Sequence, residues 1–272
     1  RMIPSLSMQI AKERLGAGRM VVIWILLGVL TIFTSWGFSD SRATFTSGYG
    51  LDSAYDILFA STAATIWGAT LGALLISFDG VSRDRLSGVF EVKLSQPMSR
   101  QKFALSLIIG HWGAILVPFI VLNLLSVLII WHRIDDLPSI QQFVMYIAAS
   151  ALLVLWWTII QLLASSWASD MGLSIAMGMG VWISFNLLWI IPTAVIAAIS
   201  GTGVDDLSSS EFTELQSLVD LFNPNGVYNN MMEMLLEGVK RSISPIYVTI
   251  SSILWTLVPA WLFIRRIQRI SP

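Results

Sequence analysis

The chain has 272 residues, of which 55% are hydrophobic and only 12% are charged, and its mean hydropathy is +0.74. Soluble domains carry about 25% charged residues, so this chain lacks about half of the charged surface that keeps a protein in water. A water-soluble enzyme is therefore excluded. The net charge of −1 says little, because in a membrane protein the distribution of charge matters more than the sum, and we expect no nucleic-acid partner. The absence of cysteine excludes disulfides, thiolate metal sites and a cysteine nucleophile.

Six uncharged apolar stretches are each long enough to cross a bilayer as a helix, which takes about 20 residues. In chain order they predict spans at about residues 20–39, 57–78, 103–131, 142–168, 172–199 and 243–264. Strands of a membrane barrel would instead show alternating segments of about 10 residues, which this sequence lacks. We therefore predict an all-α polytopic membrane protein in which residues 1–272 form a single domain with six transmembrane helices.

The positions of the lysines and arginines predict the orientation of these spans. If the N-terminus is cytoplasmic, 12 of the 16 basic residues lie in cytoplasmic segments and 4 lie in outer loops. The four outer ones are Arg42, Arg133, Lys240 and Arg241. Because cytoplasmic loops carry an excess of Lys and Arg, we expect both termini to be cytoplasmic, in an inner or plasma membrane.

Residues 1–18 precede the first span and have an amphipathic pattern. Ile3, Leu6 and Ile10 recur at helical spacing, and charged residues follow at 12–14. The pattern predicts an interfacial helix lying on the cytoplasmic face of the membrane. An ordinary basic flank that fixes the topology is the alternative.

Residues 79–102 form the longest cytoplasmic loop that the topology predicts. An apolar stripe runs through its charged sequence, at Val81, Leu86, Val89, Phe90 and Leu94, and Pro97 ends it. A plain connector needs neither this length nor this pattern. The stripe predicts a short amphipathic helix that either docks onto a cytoplasmic partner or rests on the membrane surface.

Residues 201–241 form a long acidic outer loop with helical signals. Ser208 and Glu211 have the spacing of a capping box, and a turn is predicted at 223–226. We expect two short helices that either cap a translocation path or shield the outer end of the bundle. Three methionines in the second helix favour apolar packing, with soft-metal binding as the alternative: Met231, Met232 and Met234.

Few polar residues lie inside the predicted spans, and none of them forms a chain of acids. The residues are His111, Asn123, Gln161 and Asn186. We expect each to hydrogen-bond between helices rather than to hold a substrate. Gly68 and Gly72 form a small-xxx-small motif that lets two helices pack closely, within the chain or between subunits.

The cytoplasmic loop contains a motif just before the third span. Residues 88–100 are Gly-Val-Phe-Glu-Val-Lys-Leu-Ser-Gln-Pro-Met-Ser-Arg. This sequence resembles that of type-2 ABC transporter permeases, which have Gly-Thr-Leu-Glu-x-Leu-Leu-x-x-Pro-x-Ser-Arg at the same place. The matching positions are Gly88, Glu91, Leu94, Pro97, Ser99 and Arg100, whereas Val89 and Lys93 depart from the pattern. The N-terminal helix, the six spans and the Asn-Pro turn extend the likeness, and the turn and overall size are similar to the permeases that serve nitrous oxide reductase maturation.

The resemblance implies a transporter of two six-span permeases and two ABC-type ATPases, working as an exporter. The loop helix would fit a groove of the ATPase and transmit its closure through a set of coupling residues: Arg85, Leu86, Gly88, Phe90, Glu91, Leu94, Pro97, Ser99 and Arg100. This chain contains no phosphate-binding G-x-x-x-x-G-K-[ST] loop, so we expect no cofactor here and ATP with Mg²⁺ in the partner. We expect Glu91→Lys or Arg100→Glu to weaken that docking.

Three other functions fit a chain of this kind less well. A secondary transporter needs a coupling-ion site, with interrupted helices and buried acids, and neither is clear from the sequence. A membrane-embedded hydrolase is disfavoured because His111 and His132 lie at opposite ends of the third span and no Gly-x-Ser-x-Gly or His-Glu-x-x-His occurs. A non-transporting accessory subunit of a larger complex is the third alternative.

Overall fold

The structure is a computed structural model that describes residues 2–40, 42, 50–94, 98–202, 209–236 and 243–270. Helices account for almost all of it. Those residues form no strand. The α-helices in chain order are α1 (Met2–Leu15), α2 (Gly18–Phe38), α3 (Ala54–Ala60), α4 (Thr62–Ala64), α5 (Thr70–Ser77), α6 (Ser82–Leu86), α7 (Val89–Leu94), α8 (Arg100–Ile134), α9 (Ile140–Trp167), α10 (Met171–Asn186), α11 (Ile190–Ser200), α12 (Ser210–Val219), α13 (Pro224–Glu233) and α14 (Pro245–Arg269).

The part of the chain that the structure describes contains five helical segments long and apolar enough to cross a membrane. They become six when α10 and α11 are taken as one bent span. The prediction of an all-α polytopic membrane protein is thereby confirmed. Successive spans run in opposite directions, so α1, α6, α7 and Ile270 share one end of the bundle, here called the terminal end. The segment 135–139 and helices α12 and α13 lie at the distal end.

The second span is not one regular helix. It begins at Ala54 after a capping box in which Ser53 accepts a hydrogen bond from the Asp56 backbone, and it passes through a π-helical turn at Thr65–Ala69. Such a turn widens the helix locally. Gly68 lies within this turn and Gly72 follows it, on the face that meets neighbouring spans, and a Cβ atom on Gly68 would lie 2.7 Å from a Leu30 methyl group. This motif therefore packs helices within the chain.

The fifth span bends by 43° between α10 and α11, which the sequence analysis did not predict. Pro192 supplies the physical cause, because it has no N–H for the carbonyl of Leu188 and its ring crowds that carbonyl. The helix re-forms through a shorter hydrogen bond from the Ile191 N–H to the same Leu188 carbonyl, at 3.0 Å. The span predicted at 172–199 therefore consists of two helices that meet at a bend.

The helical segment before the last span is part of the core. In α12 the Phe212 side chain is buried. In α13 three side chains are buried among the spans: Val227, Tyr228 and Met232. The Trp157 indole donates to the Asn225 side chain at 3.0 Å. The distal segment therefore fills the end of the bundle instead of lying over it.

Helix α1 packs along α8 through a glycine contact. A Cβ atom on Gly110 would lie 2.7 Å from the Ile10 side chain and 2.9 Å from the Ser7 carbonyl oxygen. Because nothing larger than glycine fits there, the N-terminal helix is held against the third span. Gly113, one turn further along α8, has no neighbour within 4 Å of a built Cβ.

These two glycines predict opposite effects of the same substitution. Gly110→Ala is expected to cost about 1–3 kcal/mol through overpacking against α1. Gly113→Ala is expected to be neutral or stabilising by up to about 1 kcal/mol, because alanine has the higher helix propensity. Thermal unfolding of the purified variants in detergent measures both. Equal shifts of the melting temperature would contradict the proposed contact between α1 and α8.

Candidate functional site

One buried carboxylate joins several elements at the terminal end. Asp79 follows the second span and its side chain is only 4% exposed. Its two oxygens accept from the Arg14 guanidinium at 2.5 Å and the Arg19 guanidinium at 2.7 Å. A third guanidinium, that of Arg83, lies 3.8 Å away. We call these four residues the Asp79 cluster.

The Asp79 cluster connects α1, the start of α2, the end of the second span and α6. Removing a carboxylate from water is costly unless an opposite charge and hydrogen bonds replace the water. Arg14, itself 8% exposed, and Arg19 supply both. Arg19 also lies over the Phe78 ring, with its guanidinium carbon 5.0 Å from the ring centre, which favours a cation–π contact.

The loop that follows contains two short helices instead of the single helix expected. Gly88 adopts a positive φ of 70°, which glycine tolerates without strain, and it separates α6 from α7. The ammonium group of Lys93 lies 2.5 Å from the Asp84 carboxylate and ties the two helices together. The predicted continuous amphipathic helix is therefore wrong, although its helical content is present.

The residues of the apolar stripe are divided between two surfaces, and each surface has members from both sides of the break. Val81 and Phe90 are buried, and the Phe90 ring meets Phe103 of α8 edge to face at 6.0 Å between centres. Leu86 and Val89 point outward and are 56% and 41% exposed. The loop thus has an inner face that anchors it and an outer apolar face that no described residue covers.

Two of the predicted coupling residues bind the carbonyl ends of helices at this end of the bundle. The Arg85 guanidinium donates to the carbonyl oxygens of Ser166 and Ala168, at the end of α9, at 3.1 and 3.3 Å. The Arg100 guanidinium donates to the Gln268 and Ile270 carbonyl oxygens at 2.7 Å. These contacts supply partners for carbonyls that a helix end leaves unpaired.

Of the remaining predicted coupling residues, one caps a helix and three lie partly or wholly outside the described part of the structure. Ser99 is the N-cap of α8 and accepts from the Lys102 N–H at 3.4 Å. Glu91 and Leu94 lie within α7, but their side chains are outside the described part of the structure, and Pro97 lies wholly outside it. Asp79, Arg14 and Arg19 were not predicted as a site, because only the fold brings residues 60 or more positions apart into contact.

At the distal end, the turn before α13 contacts the break in the fifth span. Trp189, at the break, donates through its indole N–H to the Asp220 carboxylate at 2.9 Å. The Asn223 amide donates to the Phe185 carbonyl at 3.0 Å, and Asn223 also caps α13. The predicted cap of α12 at Ser208 lies outside the described residues, and the structure has Ser209 as the N-cap.

Burial raises the pKa of Asp220 from 3.8 to about 6, and the hydrogen bond from Trp189 opposes part of that shift. A Cβ atom on Gly226 would lie 2.4 Å from the Asp220 Cβ. The backbone of the turn therefore comes close enough to restrict the access of water to the carboxylate.

The polar residues within the spans divide into two groups. Asn123 accepts from the Tyr146 hydroxyl at 2.7 Å, and the Gln161 amide donates to the Ser174 carbonyl at 3.1 Å, so both join helices as predicted. His111 and Asn186 instead contact carbonyls of their own helices, and for them the prediction of interhelical bonds is wrong. Met231 and Met232 are buried in the core, and Met234 packs beside them, as apolar packing predicts.

The helices long enough to span a membrane and the anchored helical loop between the second and third spans define an all-α polytopic membrane protein. The model of the ABC-2 family transporter protein matches residues 2–267. The chain belongs to that family and is a membrane permease subunit of an ABC transporter. A comparison with individually curated proteins gives no match. The narrower likeness to permeases of nitrous oxide reductase maturation stays a prediction.

The Asp79 cluster predicts an unequal response to two matched substitutions. Asp79→Asn removes the charge that compensates the buried Arg14 guanidinium and the partly buried Arg19 guanidinium, and breaking a buried pair costs about 3–5 kcal/mol. Asp84→Asn removes only a half-exposed pair with Lys93, worth at most about 1 kcal/mol.

Thermal unfolding in detergent and the rate of trypsin cleavage at Lys12 measure the effect. We expect Asp79→Asn to lower the melting temperature and to expose α1, whereas Asp84→Asn does neither. Identical behaviour of the two variants would show that the Asp79 cluster does not hold α1.

The raised pKa of Asp220 predicts a pH-dependent stability. Because the folded-state pKa is above the unfolded value, the folded protein retains a proton that the unfolded chain loses, and stability falls as pH rises from about 4 to about 6. Asp220→Asn keeps an oxygen for Trp189 and cannot ionise. We expect it to remove this decline and to be more stable at pH 7.5 by about 1–2 kcal/mol. Parallel melting-temperature profiles of the two proteins would contradict this assignment.

Proposed function

We propose that this permease works with cytoplasmic ABC-type ATPase subunits, and that α6 and α7 are the elements that dock onto them. The observation that carries the proposal is the outer face of the loop, where Leu86 and Val89 are exposed on an otherwise charged segment. Exposed apolar side chains at a polar surface are typical of a docking site. Beside them lies the Lys93–Asp84 pair, which gives the surface a polar rim.

The loop has the anchoring that mechanical coupling requires. Phe90 and Val81 fix its inner face in the core, and the Ser165 hydroxyl accepts from the backbone N–H groups of Val81 and Ser82 at 3.1 and 3.0 Å. Arg85 ties it to the end of α9. A displacement applied to the outer face is therefore carried into the fourth span directly.

The Asp79 cluster provides a second route for that displacement. Arg83 belongs to α6, and Asp79 links it to Arg14 of α1 and Arg19 of α2. Closure of the ATPase on the loop would move the N-terminal helix and the first two spans together. In thermodynamic terms, ATP at the partner would bias the populations of two arrangements of the bundle.

The proposal also includes the orientation of the protein in the membrane and the direction of transport. The basic residues that collect at the terminal end favour its placement in the cytoplasm, where ATP and Mg²⁺ would be bound by the partner chain. Export is the direction that the loop motif favours. The transported molecule is left open by these features.

A second permease copy or a homologue is expected to complete the transport path. Among the five spans formed by a single helical segment, the first and last are the least buried, with 22% and 17% of their apolar windows covered within this chain. Exposed side chains of α14 include Leu254, Leu257 and Trp261. Such faces are suited to lipid, to a neighbouring permease, or to both on different sides of the helix.

Leu86→Glu tests the docking surface. A carboxylate on the outer face would be buried without a partner on docking, so we expect co-purification of the ATPase to fall at least tenfold while membrane insertion is unchanged. Glu91→Lys is expected to act in the same direction. Arg100→Glu is a poorer test because it would also break the contacts with Gln268 and Ile270.

The matched control is Ile140→Glu, which also places a carboxylate on an exposed apolar position, 85% exposed, but at the distal end. We expect this variant to retain the ATPase. The measurement is the ratio of ATPase to permease after gentle detergent extraction, with transport activity as a second readout. Full retention of the ATPase by Leu86→Glu would overturn the assignment of α6 and α7.

A further inference from the structure

The last span carries a stripe of exposed residues that leads to the terminal end of the bundle. Its members follow one another at intervals of four residues in α14, so each is a surface neighbour of the next: Leu257, Trp261, Arg265 and Arg269. The Leu257 and Trp261 side chains are more than half exposed, and both arginines are exposed as well. The surface of α14 therefore changes from apolar to aromatic to cationic toward its C-terminal end.

Arg265 is held beside the indole of Trp261. Its guanidinium carbon lies 4.9 Å from the ring centre, within the reach of about 6 Å that a cation–π contact has. Tryptophan is enriched where a span leaves the hydrocarbon for the headgroups. Arg265 is the first charged residue after the uncharged stretch of this span, and Arg269 follows one turn later. Both guanidinium groups therefore lie at the level of the lipid phosphates.

The arginines of α14 differ from those of the Asp79 cluster in having no carboxylate partner among the described residues. Asp79 and Asp84 neutralise basic residues of α1, α2, α6 and α7. No acidic side chain that the structure describes lies within 4 Å of Arg265, Arg266 or Arg269. The guanidinium groups of the stripe are thus accessible and unpaired within this part of the chain.

The balance of charge around this end of α14 is positive. Arg100 donates to two carbonyl oxygens at the end of α14 at 2.7 Å, and Arg266 donates to the Ser166 carbonyl oxygen at the end of α9 at 3.4 Å. With the two arginines of the stripe, four positive charges are present. The two helix ends contribute about half a negative charge each, and Asp170 at the start of α10 adds one. An excess of about two positive charges remains.

The apolar half of the stripe decides which kind of anion fits. An acidic protein surface in water would meet Arg265 and Arg269 but would leave Leu257 and Trp261 uncovered at membrane depth. A phospholipid covers both halves, because its acyl chains lie along the apolar residues and its phosphate meets the guanidinium groups. Arginine also suits phosphate geometrically, since its planar fork donates two parallel hydrogen bonds.

We propose that this face of α14 binds an anionic phospholipid, with acyl chains along Leu257 and Trp261 and the phosphate on Arg265 and Arg269. The excess positive charge favours a headgroup that is negative overall. A zwitterionic headgroup has the same phosphate, but its ammonium group would be repelled. The site requires neither the ATPase nor a particular orientation of the protein, only that α14 spans the bilayer.

The test compares two lipids that have the same acyl chains and differ in headgroup charge. The permease is purified in detergent, and the binding of phosphatidylglycerol and of phosphatidylcholine is measured by native mass spectrometry. We expect phosphatidylglycerol to bind at least tenfold more tightly. Each basic residue near an anionic lipid surface contributes about a fivefold change in binding, so the Arg265→Gln/Arg269→Gln double variant is expected to lose most of that preference.

The chain offers a matched control at the distal end. Arg133 lies over the Trp36 ring, with its guanidinium carbon 4.4 Å from the ring centre, but a carboxylate oxygen of Asp40 is 3.9 Å away. Arg133→Gln removes the same charge from the same kind of contact, and we expect it to leave the lipid preference unchanged. The Arg265→Lys/Arg269→Lys variant keeps the charge and is expected to retain the preference.

The melting temperature without added lipid checks that each variant folds. If the double glutamine variant unfolds, the single variants Arg265→Gln and Arg269→Gln replace it, each with an expected loss of about fivefold. Equal binding of the two lipids to the wild type, or the same loss of preference in Arg133→Gln, would overturn the proposal. Unchanged lipid preference in the folded glutamine variants, together with loss of the co-purifying ATPase, would overturn it in favour of an acidic protein surface.

Discussion

The buried carboxylate of Asp79 is the constraint on which the terminal end of this permease depends. A charge that is 4% exposed at the end of a span needs opposite charge close by. The chain supplies that charge from α1, α2 and α6, three elements that are otherwise separate. The N-terminal helix is consequently part of the bundle, since its release would leave Asp79 with only Arg19 and the distant Arg83.

At both ends of the bundle, a segment between spans is attached by side-chain hydrogen bonds to the end or the bend of a span. At the terminal end, the Arg85 guanidinium of the α6–α7 loop donates to the carbonyl oxygens at the end of α9. At the distal end, the turn before α13 reaches the broken fifth span through Asp220 and Asn223. In both places a segment outside the spans binds where a helix stops or bends. Arg85 and Asn223 supply partners there for backbone carbonyls, whereas Asp220 binds the Trp189 side chain.

Hydropathy and the positions of charged residues were sufficient to predict the spans and the helical loops. These features depend on the average polarity of about 20 residues, which the sequence carries directly. Pro192 is a local signal for the break in the fifth span, but it lies in an apolar stretch that predicts one uninterrupted span. Gly88 is likewise a local signal for two helices in the loop. A glycine alone, however, does not show whether the chain adopts a positive φ there.

The roles of single residues were harder to predict because they depend on contacts distant in sequence. Phe90 and Leu86 belong to one apolar stripe, yet Phe90 is buried against Phe103 and Leu86 faces outward. The difference does not follow from the break at Gly88, because each side of the break has one buried and one exposed apolar residue: Val81 and Leu86 before it, Phe90 and Val89 after it. Consecutive residues of a helix point about 100° apart, so Val89 and Phe90 lie on different faces of α7. The loop is therefore fixed to the spans by one face and presents apolar side chains on another, and only the packing of the fold decides which residue belongs to which face.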